Sequence, residues 1–154
     1  MNSEIKIFKD CLKKENVFFN KIGYLPLSEK TFNESVPQSI FFQSKYFNAN
    51  LEKEITFTFY PTTTEIINNQ IEVYVTYNNS SIDVSSYLAY KELNRSIKHE
   101  DIQKYRFIID PESLEFSTLI QLKKIKAILF NEMYNIIAKQ EWLNIPIFDP
   151  RDDY

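Results

Sequence analysis

The sequence predicts an α+β domain: a single-layer antiparallel β-meander of three to five strands packed against a long C-terminal helix and a short N-terminal helix. Three observations lead there. Ile55, Phe57 and Phe59 alternate with Thr56, Thr58 and Tyr60, and Ile71, Val73, Val75 and Tyr77 alternate with Glu72, Tyr74 and Thr76, the period-two signature of half-buried strands. Leu119, Leu122, Ile125, Leu129, Met133, Ile136 and Ile137 recur at helical spacing near the end of the chain, a stripe broad enough to cover the sheet's apolar face. Strands cluster in the middle with helical patterns at both ends, whereas a parallel α/β fold requires alternation along the chain.

Taken in order, Ser3 is placed to cap a helix running to about Glu15, with Ile5, Phe8 and Leu12 on one face. From Asn16 to Gln38 the apolar residues lose their period and Gly23, Pro26 and Pro37 intervene. This stretch reads as a long irregular connection with one short strand at Val17-Phe18-Phe19. Ile40 to Phe47 reads as a strand preceding the central pair, and Ser81 to Val84 as a shorter one following it. Tyr87 to Asn94 reads as helical or extended, and Phe107-Ile108-Ile109 as a further strand. Asp110, Pro111 and Glu112 supply a cap, a first-turn proline and a favourably placed acid, opening a short turn ahead of a helix from about Ser117 to Gln140. Trp142, Ile145, Ile147 and Phe148 then return along the core, kinked at Pro146, before an acidic tail over residues 149–154 that is expected to be flexible.

The 154 residues suit one domain, which buries roughly 68–70% of its unfolded surface at this size. Thirteen Phe, ten Tyr and one Trp are available for that core. Glycine is scarce: an average composition would supply about eleven, and the chain has one, Gly23. Phosphate loops of the G-x-x-x-x-G-K-[ST] and G-x-G-x-x-G kinds therefore cannot be written. Asn48, Asn50, Asn68-Asn69 and Asn78-Asn79 are expected to take over the turns.

The net charge of −3 with mixed signs argues against a nucleic-acid partner. No run approaches the eighteen or so apolar residues of a membrane span, and the N-terminus lacks a signal peptide's apolar run. Cytoplasmic residence is the expectation. Cys11 and His99 are the only Cys and His, too few for structural zinc. They read as a buried thiol and an exposed turn residue. No metal and no cofactor is expected.

Glu54, Glu65 and Glu72 are carboxylates that glycosidase-type chemistry could use, and equally ordinary cross-strand partners. The polar face bearing Thr56, Thr58, Tyr60, Glu72, Tyr74 and Thr76 is rich in rings with hydrogen-bonding tips, a trait of protein interfaces. The expected function is a non-catalytic protein-binding domain, an immunity- or antitoxin-type inhibitor of a bacterial cytoplasm that meets a basic protein, with a homodimer as a further partner. Tyr60, Glu72, Tyr74, Asp149, Asp152 and Asp153 are the candidate partner-binding residues. The alternative is a small hydrolase or ligand-binding domain using carboxylates and tyrosines in a pocket between sheet and long helix.

Overall fold

The computed structural model describes residues 3–35, 38–61 and 69–147. Helix α1 (Ser3–Glu15) has Glu4 in its first turn and Lys13 and Lys14 in its last, complementing the helix dipole at both ends. It buries Ile5, Phe8, Cys11 and Leu12. Over its described residues 16–35 the segment expected to be irregular is largely regular instead. A 3-10 helix (Asn16–Ile22) is closed by Gly23 at φ 92°, a left-handed position that favours glycine. Strand β1 (Leu25–Ser35) follows. The short strand expected at Val17-Phe18-Phe19 is therefore helical. Only Phe19 of the three is buried, which a half-buried strand would not give.

β2 (Gln38–Asn48), β3 (Lys53–Tyr60), β4 (Gln70–Tyr77) and β5 (Ser80–Asp83) complete an antiparallel meander in the order β1-β2-β3-β4-β5. A two-residue β6 (Phe107–Ile108) joins the free end of β4, pairing Ile71 with Phe107. Asn78 and Asn79 both take positive φ, 48° and 63°, as a two-residue hairpin that follows the twist of its strands requires. Asn48 serves its turn through its side chain, which accepts from Leu51 N at 3.0 Å; Glu52 takes the left-handed position there, at φ 55°.

Register puts Phe42, Tyr46, Ile55, Phe57, Phe59, Ile71, Val73 and Val75 on one face, and all are buried. Phe8 of α1 stacks on Phe59 at 4.7 Å between ring centroids and meets Phe42 edge-on at 5.9 Å. Helices α2 (Val84–Leu93) and α3 (His99–Gln103) follow β5. α2 is capped by Asp83, whose side chain accepts from Ser85 N, and stopped by Asn94 at φ 51°. Asp110 caps a short 3-10 turn by accepting from Glu112 N at 3.0 Å, and α4 (Leu114–Asn131) begins beyond it.

The C-terminal helix is not continuous to Gln140. Both Glu132 N and Met133 N bond to Ile128 O, at 2.9 and 3.0 Å, which widens the last turn; α5 (Tyr134–Ala138) then runs separately. Its Ile136 and Ile137 still enter the core beside Leu122, Ile125 and Leu129.

Lys53 explains where the chain goes next. Its side chain is fully buried on the apolar face, and Nζ donates to the carbonyls of Ile136, Lys139 and Glu141 at 2.6, 2.6 and 2.7 Å. Trp142 and Tyr77 present their rings to the same nitrogen, each at 5.6 Å. Burial pushes the ammonium's pKa below the ordinary lysine value while Glu141 opposes that. A buried cation is tolerated when it is fully hydrogen-bonded; here the bonds tie the chain after α5 beneath β3.

Candidate functional site

The other face of the sheet carries the residues that the strand alternation singled out. Thr56 lies opposite Tyr74 and Thr58 opposite Glu72. At the β1–β2 end the rings of Phe32 and Phe41 stack at 4.7 Å, and Phe41 meets Tyr60 at 5.5 Å. Helix α1 packs on the opposite face, yet Thr56, Thr58 and Glu72 are buried on this one too and Tyr60 and Tyr74 are half-buried, so these strands are covered on both sides rather than on one.

Tyr60, Glu72 and Tyr74 come together. Tyr74 Oη donates to Glu72 Oε2 at 2.6 Å and Tyr60 Oη to the same oxygen at 3.4 Å. Arg106, which sequence reasoning did not single out, arrives from the segment between α3 and β6. Its Nη1 stands 3.7 Å from Glu72 Oε1 and 2.8 Å from Asp83 Oδ2. Asp83 also accepts from Ser86 Oγ at 3.2 Å. One guanidinium thus bridges two nearly buried carboxylates, which also accept from hydroxyl and backbone donors, while among the described residues its Nε is buried without a hydrogen-bond partner. A positive charge between two negative ones is the arrangement that lets ionised groups stand inside a sheet-edge structure.

The titration behaviour follows from this packing. Burial first, then the Glu72 charge and hydrogen bond, pushes the Tyr60 phenol up to about 12, and the same causes push Tyr74 higher still. Both tyrosines are therefore hydrogen-bond donors at neutral pH, unsuited to act as bases. Burial also raises Asp83, against the lowering effect of Arg106.

Two hollows open beside this network. A cleft of about 310 Å³ at the β5 side is lined by Tyr74, Asp83, Ser86, His99, Arg106 and Ile145, among others. His99 begins α3 and is exposed at this cleft, while Cys11 is buried between α1 and α4, where its thiol faces Glu115 O at 3.9 Å; the structure does not bring the two together. The second hollow, about 360 Å³, lies at the other end of the face. It is lined by Leu27, Phe47, Glu52, Glu54, Thr76, Tyr77 and Asn78. Glu54 and Phe47 share it because they are opposed in register. Leu27 projects where the β1–β2 register shifts between Pro26 and Ser28, and 56% of its surface is exposed.

Of the other expected residues, Glu65, Asp149, Asp152 and Asp153 lie outside the described residues. Leu27, Phe47 and Glu52 were not legible as a group: their meeting depends on a register shift and a turn. The only hint was Leu25 and Leu27 alternating around Pro26, the pattern of an edge strand. Among the described residues no cluster of three or more His, Cys, Asp or Glu stands ready for a metal ion, and no helix is long and apolar enough to cross a membrane. Compared with protein-family models, curated proteins and solved structures, the chain matches none.

Proposed function

We propose that this chain is a non-catalytic protein-binding domain, an inhibitor of the immunity or antitoxin kind that covers a basic partner with the polar face of its sheet. The observation that carries the reading is the acid-rimmed apolar hollow of Leu27, Phe47, Glu52 and Glu54. Apolar side chains give such a contact its buried centre, and carboxylates at its rim select a cationic partner and speed the encounter. The Tyr60–Glu72–Tyr74–Arg106–Asp83 network supports the same reading in a different way. Its one cation is held between two carboxylates, so it stiffens the face and leaves recognition to what surrounds it.

The cleft of about 310 Å³ favours a second reading, a ligand-binding domain. It sits at the β5 side, away from the long helix, and combines a carboxyl of raised pKa with Ser86, His99 and Arg106, a combination typical of ligand sites.

Affinity capture from lysate at low salt separates the two. A basic protein recovered in stoichiometric amount, released by 0.5 M salt (roughly a threefold to fourfold shorter screening length than at 50 mM) and lost in Glu52→Lys/Glu54→Lys, supports the first. Capture indifferent to those charge reversals sinks it; a small molecule that raises Tm in the parent and not in Ser86→Leu establishes the second.

A further inference from the structure

The opposite, helical side of the molecule has the reverse character. α1, the 3-10 helix and α4 carry eight lysines against four carboxylates, a surplus of four, so with a chain total of −3 the remaining residues hold −7. Within that basic layer lies an apolar hollow of about 260 Å³, lined by Phe18, Lys123, Lys126, Ala127, Phe130 and Asn131. Phe18 is 42% exposed and is flanked by two ammonium groups: Lys126 Nζ 4.3 Å from its ring centroid and Lys21 Nζ 5.0 Å away. Lys126 is held there by Glu15 at 3.2 Å. Among the described residues Lys21 and Lys123 have no ion-pair partner within 4 Å.

From this geometry we infer that the Phe18 hollow is a second docking site, taking an acidic segment of a partner protein with one apolar side chain as its anchor. Several features select that occupant. The volume falls just below the roughly 300–1,000 Å³ of small-molecule sites and suits a single side chain. Its lysines stand around the apolar floor, where carboxylates flanking the anchor would meet Lys21 and Lys123. Cations already seated on Phe18 keep that ring in place before anything binds, which lowers the ordering cost of association. Lysine is the only basic residue here, so the bidentate phosphate recognition that favours arginine at nucleic-acid surfaces is missing from the hollow. The apolar lining of the hollow is concave, while Val17, Phe116 and Ile120 of the same helices stand exposed, so anionic vesicles are the control that separates a peptide from an anionic lipid surface. This site stands independently of the function proposed above, since it lies on the other side of the sheet and has the opposite sign.

The test is a titration of the ¹⁵N-labelled chain with an acetylated pentapeptide of two glutamates, a central leucine and two aspartates, followed by amide shifts. Saturable shifts centred on Phe18, Ala127, Phe130 and Asn131 are expected. Affinity should fall about tenfold or more in Lys123→Glu and in Phe18→Ala, and stay unchanged in Glu54→Lys. Both residues are exposed, so an unaltered Tm in the two variants confirms that the fold survives. Absence of saturable shifts, equal binding of the same peptide with lysines in place of its acids, or shifts with phosphatidylserine vesicles and not with the peptide would each overturn the inference.

Discussion

The two sides of this sheet are built on different terms. At the β4–β5 side Arg106 bridges two nearly buried carboxylates, Glu72 and Asp83. Lys53 holds the segment after α5, and that segment goes on to lay Ile147 beside Ile97 in a parallel bridge. At the β1 side an eleven-residue strand pairs with β2 alone, and every side chain from Leu25 to Thr31 is exposed. A long open edge invites pairing with another chain. Pro26, the register shift beside it, and the Glu29 and Lys30 charges are devices that blunt it. The contrast shows where substitutions are costly: polar groups that have lost water depend on every partner, while an edge residue in water depends on few.

The largest effect is expected at Lys53. Lys53→Met keeps the length of the side chain but leaves the buried carbonyl of Ile136 and the partly buried carbonyls of Lys139 and Glu141 without their donor, the loss at a fully buried group being worth about 1–3 kcal/mol. Urea unfolding should show a loss of about 3–5 kcal/mol, with the near-ultraviolet signal of Trp142 altered because the ring no longer sits over a cation. A loss under about 1 kcal/mol, small for a buried polar defect, would mean that the C-terminal segment is held by something else.

Arg106 comes next. Arg106→Met leaves Glu72 and Asp83 facing each other, and a loss of about 3 kcal/mol at pH 7 is expected from breaking a buried ionic group. Its pH dependence has a definite sign. Asp83 has a folded pKa raised above the ordinary 3.8, so its favourable contribution is fully present below 3.8 and is lost as pH rises through the raised value. Removing Arg106 raises that pKa further, and the deficit of the variant should therefore shrink as pH falls from 7 towards 5. A deficit that is constant or grows over this range would show that the guanidinium acts by packing alone.

These two positions also mark what sequence could and could not disclose. The meander was legible because an apolar/polar alternation obliges one face to be buried, and Ile55, Phe57, Ile71 and Val73 keep that alternation strictly. That Thr56 and Thr58 share a face with Glu72 and Tyr74 followed from it, whereas the pairing of Thr56 with Tyr74 and of Thr58 with Glu72 is set by the register. β1 was hidden because an edge strand exposed on both faces has no alternation to enforce. Lys53 gave no signal either, since a lysine at the start of a strand normally points to water. Its burial depends on carbonyls eighty and more residues away. The break after α4 escaped for a related reason. Met133, Ile136 and Ile137 prolong the helical stripe, and only the paired bonds to Ile128 O reveal that the turn has widened. Arg106 was invisible as a site residue because Glu72 and Asp83 meet only through the β4–β5 pairing.

The smallest effect is expected on the open side, and it is the sharpest check on the comparison. Leu27 is apolar, yet it is mostly exposed and sits at the register shift, so Leu27→Thr removes little buried surface and leaves the β1–β2 ladder intact. Surface substitutions of this kind stay within about 0.5 kcal/mol, and Tm should be independent of protein concentration in both parent and variant. If the parent's Tm rises with concentration and the Leu27→Thr variant's does not, the β1 edge is stabilised by a second copy of the chain through mass action. The two sides of the sheet would then differ in the source of their support, internal carbonyls and carboxylates on one and a neighbouring molecule on the other.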